Sequence, residues 1–347
     1  MAKVRVAVMG AGAIAQRRHL PEYKSNPDAE IAGVYDANAI RAAQLALLYD
    51  CKAYSSFEEM LADETVDAVS VCSPNVTHAD VTIRALNAGK HVLCEKPMAQ
   101  TLEETRAMLE AAERSGKTLM LGHNQRMIRA HIKARQLLQS GAIGKLLFFQ
   151  CNFKHPGPES WSIENNSNTW FFKRDQASFG VMGDLGAHKI DLIRFLTGEE
   201  ITSVFATVMT LDKRYADGTP IDLEDNAICE FKMTGGLPGI MHFSWTNYGQ
   251  EDNSTVVYGS EGVMKIFGDY ADDIVLEMRD GTTVKYTVGA ISTNMNQLKS
   301  GVIDEFIASV VEGRAPIVTG VDGHNTLAVI VKALESAKAG KWLDIEY

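Results

Sequence analysis

Up to about residue 122, short apolar runs alternate with longer stretches whose apolar residues recur every three or four positions. Runs at 4–9, 30–35, 51–54, 68–71, 91–94 and 118–122 predict strands. Between them, 13–22, 38–50, 56–62, 79–87 and 102–115 predict helices. Thr101 with Glu104 has the form of a capping box, and Gly89 and Gly116 stand where helices should stop. A repeated strand-then-helix order implies a parallel sheet with helices on both faces.

After residue 123 the pattern changes. A helix at 129–140 leads to a long apolar strand at 146–153, then to a loop rich in Pro, Asn and Trp, then to a helix starting near Asp184. Strand-like runs follow at 201–211, 226–233, 239–245, 255–259, 263–267, 274–278 and 283–288. Asp280-Gly281 is a two-residue hairpin signal, since both residues tolerate the positive φ of a type I′ turn. Successive hairpins predict an open, mostly antiparallel sheet. Helices at 302–312 and 323–339 and a strand at 342–345 close the chain. The expected division is an α/β domain over 1–122 and an α+β domain over 123–347.

The chain has 347 residues, enough for two domains at about 100 to 200 residues each. Its net charge of −10 and the absence of a large Lys/Arg cluster argue against a nucleic-acid partner. No apolar run approaches the roughly 18 residues that span a bilayer. The first residues enter strand-like sequence without the features of a signal peptide. Cys51, Cys72, Cys94, Cys151 and Cys229 are scattered and odd in number, so neither a disulfide framework nor a zinc site is expected. A reducing cytoplasm is the expected location.

Chemistry concentrates at four places. Gly10-Ala11-Gly12-Ala13-Ile14-Ala15 follows the first strand: Gly10 permits a tight turn, and Gly12 lets backbone approach a pyrophosphate at the next helix N-terminus. Asp36 ends the second strand, where a carboxylate bonds a ribose 2′-hydroxyl and repels a 2′-phosphate. That favours NAD over NADP, although nearby Arg41 keeps NADP possible. Ser73-Pro74-Asn75 lies on the same crevice rim, with His78 expected at the surface or as a cap. Next, Glu95-Lys96-Pro97 ends the apolar run 91–94. A lysine there can bond a substrate hydroxyl and stabilise a developing alkoxide, and Glu95 can hold a ribose hydroxyl or partner Lys96. Finally Asp184, His188 and Asp191 recur at i, i+4 and i+7. A histidine between two carboxylates suits general-base work at a pKa near neutrality.

These motifs, with Ala88-Gly89-Lys90-His91-Val92, in this order resemble the Gfo/Idh/MocA oxidoreductases along essentially the whole chain. The resemblance implies a Rossmann domain, then an open-faced, mostly antiparallel sheet domain that also makes oligomer contacts, giving a homodimer or homotetramer. It implies bound NAD, contacted by Gly10, Gly12, Ala13, Ile14, Asp36, Ser73, Pro74, Asn75, Glu95 and Lys96. Lys96, Asp184 and His188 become the expected catalytic set, with Asp184 orienting the substrate or the imidazole. Arg126, at the domain junction, becomes a substrate contact. The segment 154–176, with Trp161, Asn165, Asn166, Trp170 and Lys173, is expected to shape the pocket. The expected substrate is a secondary hydroxyl of a cyclic polyol or sugar, inositol first. Two alternatives accompany it: a glycosidase that retains NAD and oxidises its sugar transiently, and a silent cofactor-binding regulator. The regulator should lack Lys96 or His188, and both are present.

Overall fold

The computed structural model describes residues 3–268, 272–289 and 299–347. The first sheet contains β1 (Val4–Met9), β2 (Ala29–Tyr35), β3 (Lys52–Ala53), β4 (Ala68–Val71), β5 (His91–Cys94) and β6 (Leu119–Leu121). All are parallel, in the order β3-β2-β1-β4-β5-β6. Helices cover both faces, so Val6, Ala7 and Val8 of β1 are fully buried, as a doubly covered strand requires. Successive strands are added outward in opposite directions from β1 and β4, which places a crevice between their carboxyl ends. Gly10 turns there at φ 95°, and a Cβ on it would come within 2.6 Å of the Ser73 nitrogen. Only glycine lets the β1 and β4 loops approach this closely.

The second sheet contains β7 (Leu146–Lys154), β8 (Ile201–Met209), β9 (Asn226–Met233), β10 (Pro238–Ser244), β11 (Thr255–Gly259), β12 (Gly262–Ile266), β13 (Ile274–Met278), β14 (Thr283–Tyr286) and β15 (Leu343–Asp344). Its order is β14-β13-β12-β11-β7-β10-β9-β8-β15, antiparallel except for the pair β7 and β10. Burial alternates along β9, the signature of a sheet with one covered face. Helices Ala187–Thr197 and Gly320–Ala339 pack on that face.

The chain crosses between the two sheets more than once. Helix Val302–Glu312 packs against β1 and against helix Leu20–Ser25. Asn26 donates to Asp304 at 2.8 Å, and the Ser300 amide donates to Glu22 at 2.8 Å. Thr319 pairs with Met120 of β6 as an isolated bridge. A cut at residue 122 therefore separates the sheets but not the helices.

Four local expectations change. The hairpin of β13 and β14 is not type I′: Gly281 has φ 88°, while Asp280 is not among the positive-φ residues. The Gly281 amide donates to the Met278 carbonyl at 3.0 Å, and Asp280 accepts from the Thr282 amide at 2.9 Å. This is a longer loop with one left-handed glycine. The helix expected near Asp184 begins as a π-helical turn, Met182–Gly186, before the α-helix Ala187–Thr197. The first helix also opens with a π turn, Ala15–His19. The last helix starts at Gly320 rather than 323, capped by a reciprocal Thr319 and Asp322 box. Its two early glycines disguise that start, yet both are needed: a Cβ would press into Leu109 at Gly320 and into Leu121 at Gly323. No helix among the described residues is long and apolar enough to cross a membrane.

Candidate active site

One cavity of about 590 Å³ lies between the sheets. The glycine turn, Asp36, the 73–75 rim, Glu95, Lys96, Asp184 and His188 all line it. Arg126 does not.

Lys96 leaves the end of β5 through a cis peptide to Pro97. Its ammonium donates to the Asp184 carboxylate and to the Asp184 carbonyl, both at 2.9 Å. This contact joins the two domains at the site. The π turn makes it possible by presenting carbonyl and carboxylate of one residue to one cation. The other Asp184 oxygen accepts from the indole N–H of fully buried Trp245 at 3.0 Å. Burial opposes ionisation of Asp184, but the charge and hydrogen bond of Lys96, with His155 nearby and the Trp245 donor, outweigh it and hold the carboxyl below its ordinary value. An ammonium carries three donors, so one remains to meet a ligand.

His188 is half-buried on the next turn of the helix, 5.6 Å from the Phe153 ring between centroids. Its Nδ1 is buried without a hydrogen-bond partner. The expected flanking by carboxylates is not what surrounds it. Asp184 is engaged by Lys96, and Asp191 is gripped by Arg126 at 2.8 and 2.6 Å. Burial, reinforced by the positive charge of Lys96, pushes the imidazole well below its ordinary value rather than leaving it near neutrality. The imidazole is thus neutral at physiological pH.

Arg126 departs from its expected substrate contact. Its guanidinium bridges Asp191 and Asp322, the latter at 2.9 Å, and is buried at the junction. Asn124 and Gln125, just before it, reach the cavity instead.

On the first-sheet side Asp36 accepts from the Ala11 amide at 2.7 Å and from the Asn38 amide at 2.7 Å. Arg41 stands 3.7 Å from it. Asn38, not Asp36, caps the following helix. Asn75 donates to the Ala177 carbonyl at 2.9 Å, tying the rim to the second domain. His78 is buried, contrary to its expected surface position; its ring nitrogens lie 2.8 and 2.9 Å from the carbonyls of Pro97 and Ser73. Glu95 is held by His19 at 2.9 Å and accepts from the Lys96 amide at 3.2 Å. Burial works against its ionisation, but His19 and Arg18 prevail and bring the carboxyl down to about 2.

Several cavity residues carry no motif. His155 follows β7, and burial drives its imidazole down to about 4. The His155-Pro156-Gly157 break after a long apolar strand was the available signal. Asn253 accepts from Gln125 at 3.2 Å, while its carbonyl takes the ammonium of fully buried Lys189 at 2.9 Å. Glu251, also on the wall, is pushed up to about 7 by burial.

Comparison with known proteins matches this two-sheet fold. Residues 4–123 match the family model described as an oxidoreductase family with an NAD-binding Rossmann fold, and 131–265 match the GFO/IDH/MocA C-terminal domain. The chain belongs to the GFO/IDH/MocA oxidoreductases and carries their NAD-binding Rossmann domain. Inositol 2-dehydrogenase of Rhizobium meliloti (strain 1021) is 29% identical over 343 residues, 99% of each chain. Levoglucosan dehydrogenase of Pseudarthrobacter phenanthrenivorans is 26% identical over 349 residues, covering 90% of this chain and 88% of that protein. Among solved structures, levoglucosan dehydrogenase in complex with NADH and levoglucosan superposes with a TM-score of 0.88 at 24% identity, covering 99% of this chain and 100% of that one. A putative myo-inositol dehydrogenase of Sinorhizobium meliloti 1021 gives 0.82 at 28% identity, over 99% and 100%.

The residues present fit the dinucleotide. A Cβ on Gly12 would meet nothing within 4 Å, so the turn is open toward the cavity. The first helical amides beyond it lack intrahelical acceptors, which suits a pyrophosphate. The Asp36 carboxylate keeps lone pairs for ribose hydroxyls after its two backbone bonds.

Proposed function

We propose that this protein is a dehydrogenase acting on a secondary hydroxyl of a cyclic polyol or sugar, with inositol the first candidate. The carrying observation is the pairing of Lys96 with Asp184 across the domain junction, beside a neutral His188 and within the cavity that the glycine turn opens.

NAD, held by the glycine turn, Asp36, the 73–75 rim and Glu95, supplies a hydride acceptor. Lys96 directs its remaining N–H at the substrate oxygen and stabilises the charge that grows there as the proton leaves. His188, neutral and lining the cavity, takes that proton. Asp184 fixes the ammonium rather than the imidazole, and Trp245 in turn fixes Asp184. In the reverse direction the same imidazole returns the proton to a ketone oxygen.

The test is turnover of purified protein on a panel of inositols and monosaccharides with NAD or NADP, read as NADH or NADPH absorbance. NADH formation on a cyclic polyol or sugar, faster than with NADP, is the expected result. A protein that binds NAD yet oxidises no member of the panel would refute the assignment.

A further inference from the structure

Outward from His188, the second domain continues the cavity along a row of aromatic rings. Phe153 stands 5.6 Å from His188, His155 is 5.8 Å from Phe153, and Trp161 is 6.4 Å from His155, all between centroids. Phe171 meets the Trp161 ring edge-on at 4.9 Å and stacks on Trp170 at 3.9 Å. Trp161 is therefore braced from behind and separated from the reacting centre by two rings.

The same wall holds polar atoms that nothing in the protein satisfies. Nε1 of Trp161, Oγ of Ser162 and one carboxylate oxygen of Glu164 are each buried without a partner, and all three residues line the cavity. Ser162 is only 4% exposed. A buried polar group left unpaired costs about 1–3 kcal/mol. Three of them within four residues, on one wall, indicate a ligand that supplies the missing bonds.

Their chemistry defines that ligand. An indole donates, a hydroxyl donates or accepts, and a carboxylate accepts, beside an aromatic ring. Together they match a ring bearing several hydroxyl groups. The strap is also firmly seated, because Lys213 reaches both the Pro156 carbonyl and Glu159, and Thr169 caps the turn Trp170–Phe172.

We infer that segment 161–164 is a second-ring subsite, and that the preferred substrate is a two-ring glycoside oxidised on the ring beside Lys96 and His188 while its other ring rests on Trp161. The inference depends on the dehydrogenase reading and narrows its substrate class, placing a two-ring glycoside ahead of inositol.

The experiment compares kcat/KM for cellobiose, maltose and trehalose with that for the methyl glucosides and myo-inositol, using NAD and following NADH. In the wild type at least one disaccharide should exceed the matching methyl glucoside by about tenfold or more, the factor equivalent to about 1.4 kcal/mol. Trp161→Ala should bring that ratio close to one. Ser162→Ala, a gentler change, should lower it by a smaller factor and decides the matter if Trp161→Ala does not fold. Oxidation of single-ring substrates with no disaccharide preference overturns the subsite and leaves the dehydrogenase reading intact. Equal losses on both substrate classes in the variants also overturn it. A wild type that oxidises nothing on the panel removes both readings.

Discussion

The two walls of the cavity are built differently. On the first-sheet wall, side chains are tied back to the protein: Asp36 to two amides, His78 to two carbonyls, Glu95 to His19 and the Lys96 amide. What that wall offers a ligand is chiefly backbone, shaped by Gly10 and Gly12. On the second wall, Trp161, Ser162, Glu164, Asn124, Gln125 and His188 all keep buried polar atoms without protein partners. One wall has its side chains already satisfied, whereas the other keeps polar atoms that the proposed polyhydroxylated substrate would satisfy.

That contrast can be broken at its seam. Lys96→Ala should slow turnover by about three orders of magnitude or more, on the scale of losing a principal oxyanion donor, while NAD titration still shows binding. Loss of NAD binding instead would put Lys96 on the cofactor wall alone. His188→Gln should cost about two to three orders of magnitude in kcat. The wild-type pH profile for oxidation bears on the same residue. A base must be unprotonated to work, and His188 lies well below the ordinary 6.5, so the acid limb should fall below that value. A limb centred at or above it would contradict the burial argument.

Arg126→Met should lower folding stability by about 3–5 kcal/mol, because it strands buried Asp191 without its counter-charge; chemical denaturation measures this. A loss under about 1 kcal/mol would return Arg126 to the substrate role it was first given. Acid tests three histidines together. His131, His155 and His188 are all lowered from 6.5, the first two to about 3 and about 4. The unfolded chain therefore binds more protons, and stability should decline as pH falls below about 6.5, visible as a falling melting temperature. The smallest expected effect is Asp36→Ala, which should raise KM for NAD about tenfold, the scale of one charged hydrogen bond, and narrow the preference over NADP.

The first-sheet wall was readable in the sequence because its chemistry is local. A glycine turn after an apolar strand, an acid at the end of the next strand and a lysine after β5 all depend on short-range spacing. The second wall was less readable. An α-helical period placed Asp184, His188 and Asp191 on one face, but the π turn at Met182–Gly186 changes that register and sends the two carboxylates to different cations. His155 and Asn253 reach the cavity through sheet pairing between β7 and β11, which no local pattern encodes. Arg126 was expected to meet substrate at the junction, but the partners that hold it lie 65 and 196 residues away. Strand and helix positions mostly fell within a few residues, and the misplaced start at Gly320 reflects glycines chosen for close packing, not for ending a helix.

The late return of the chain to the first sheet has a practical outcome. Because Val302–Glu312 and Thr319 close over β1 and β6, the leading 122 residues lack part of their own covering when expressed alone. A chimera that exchanges cofactor preference between relatives must therefore carry both pieces, the opening segment and the distant helix that shelters it.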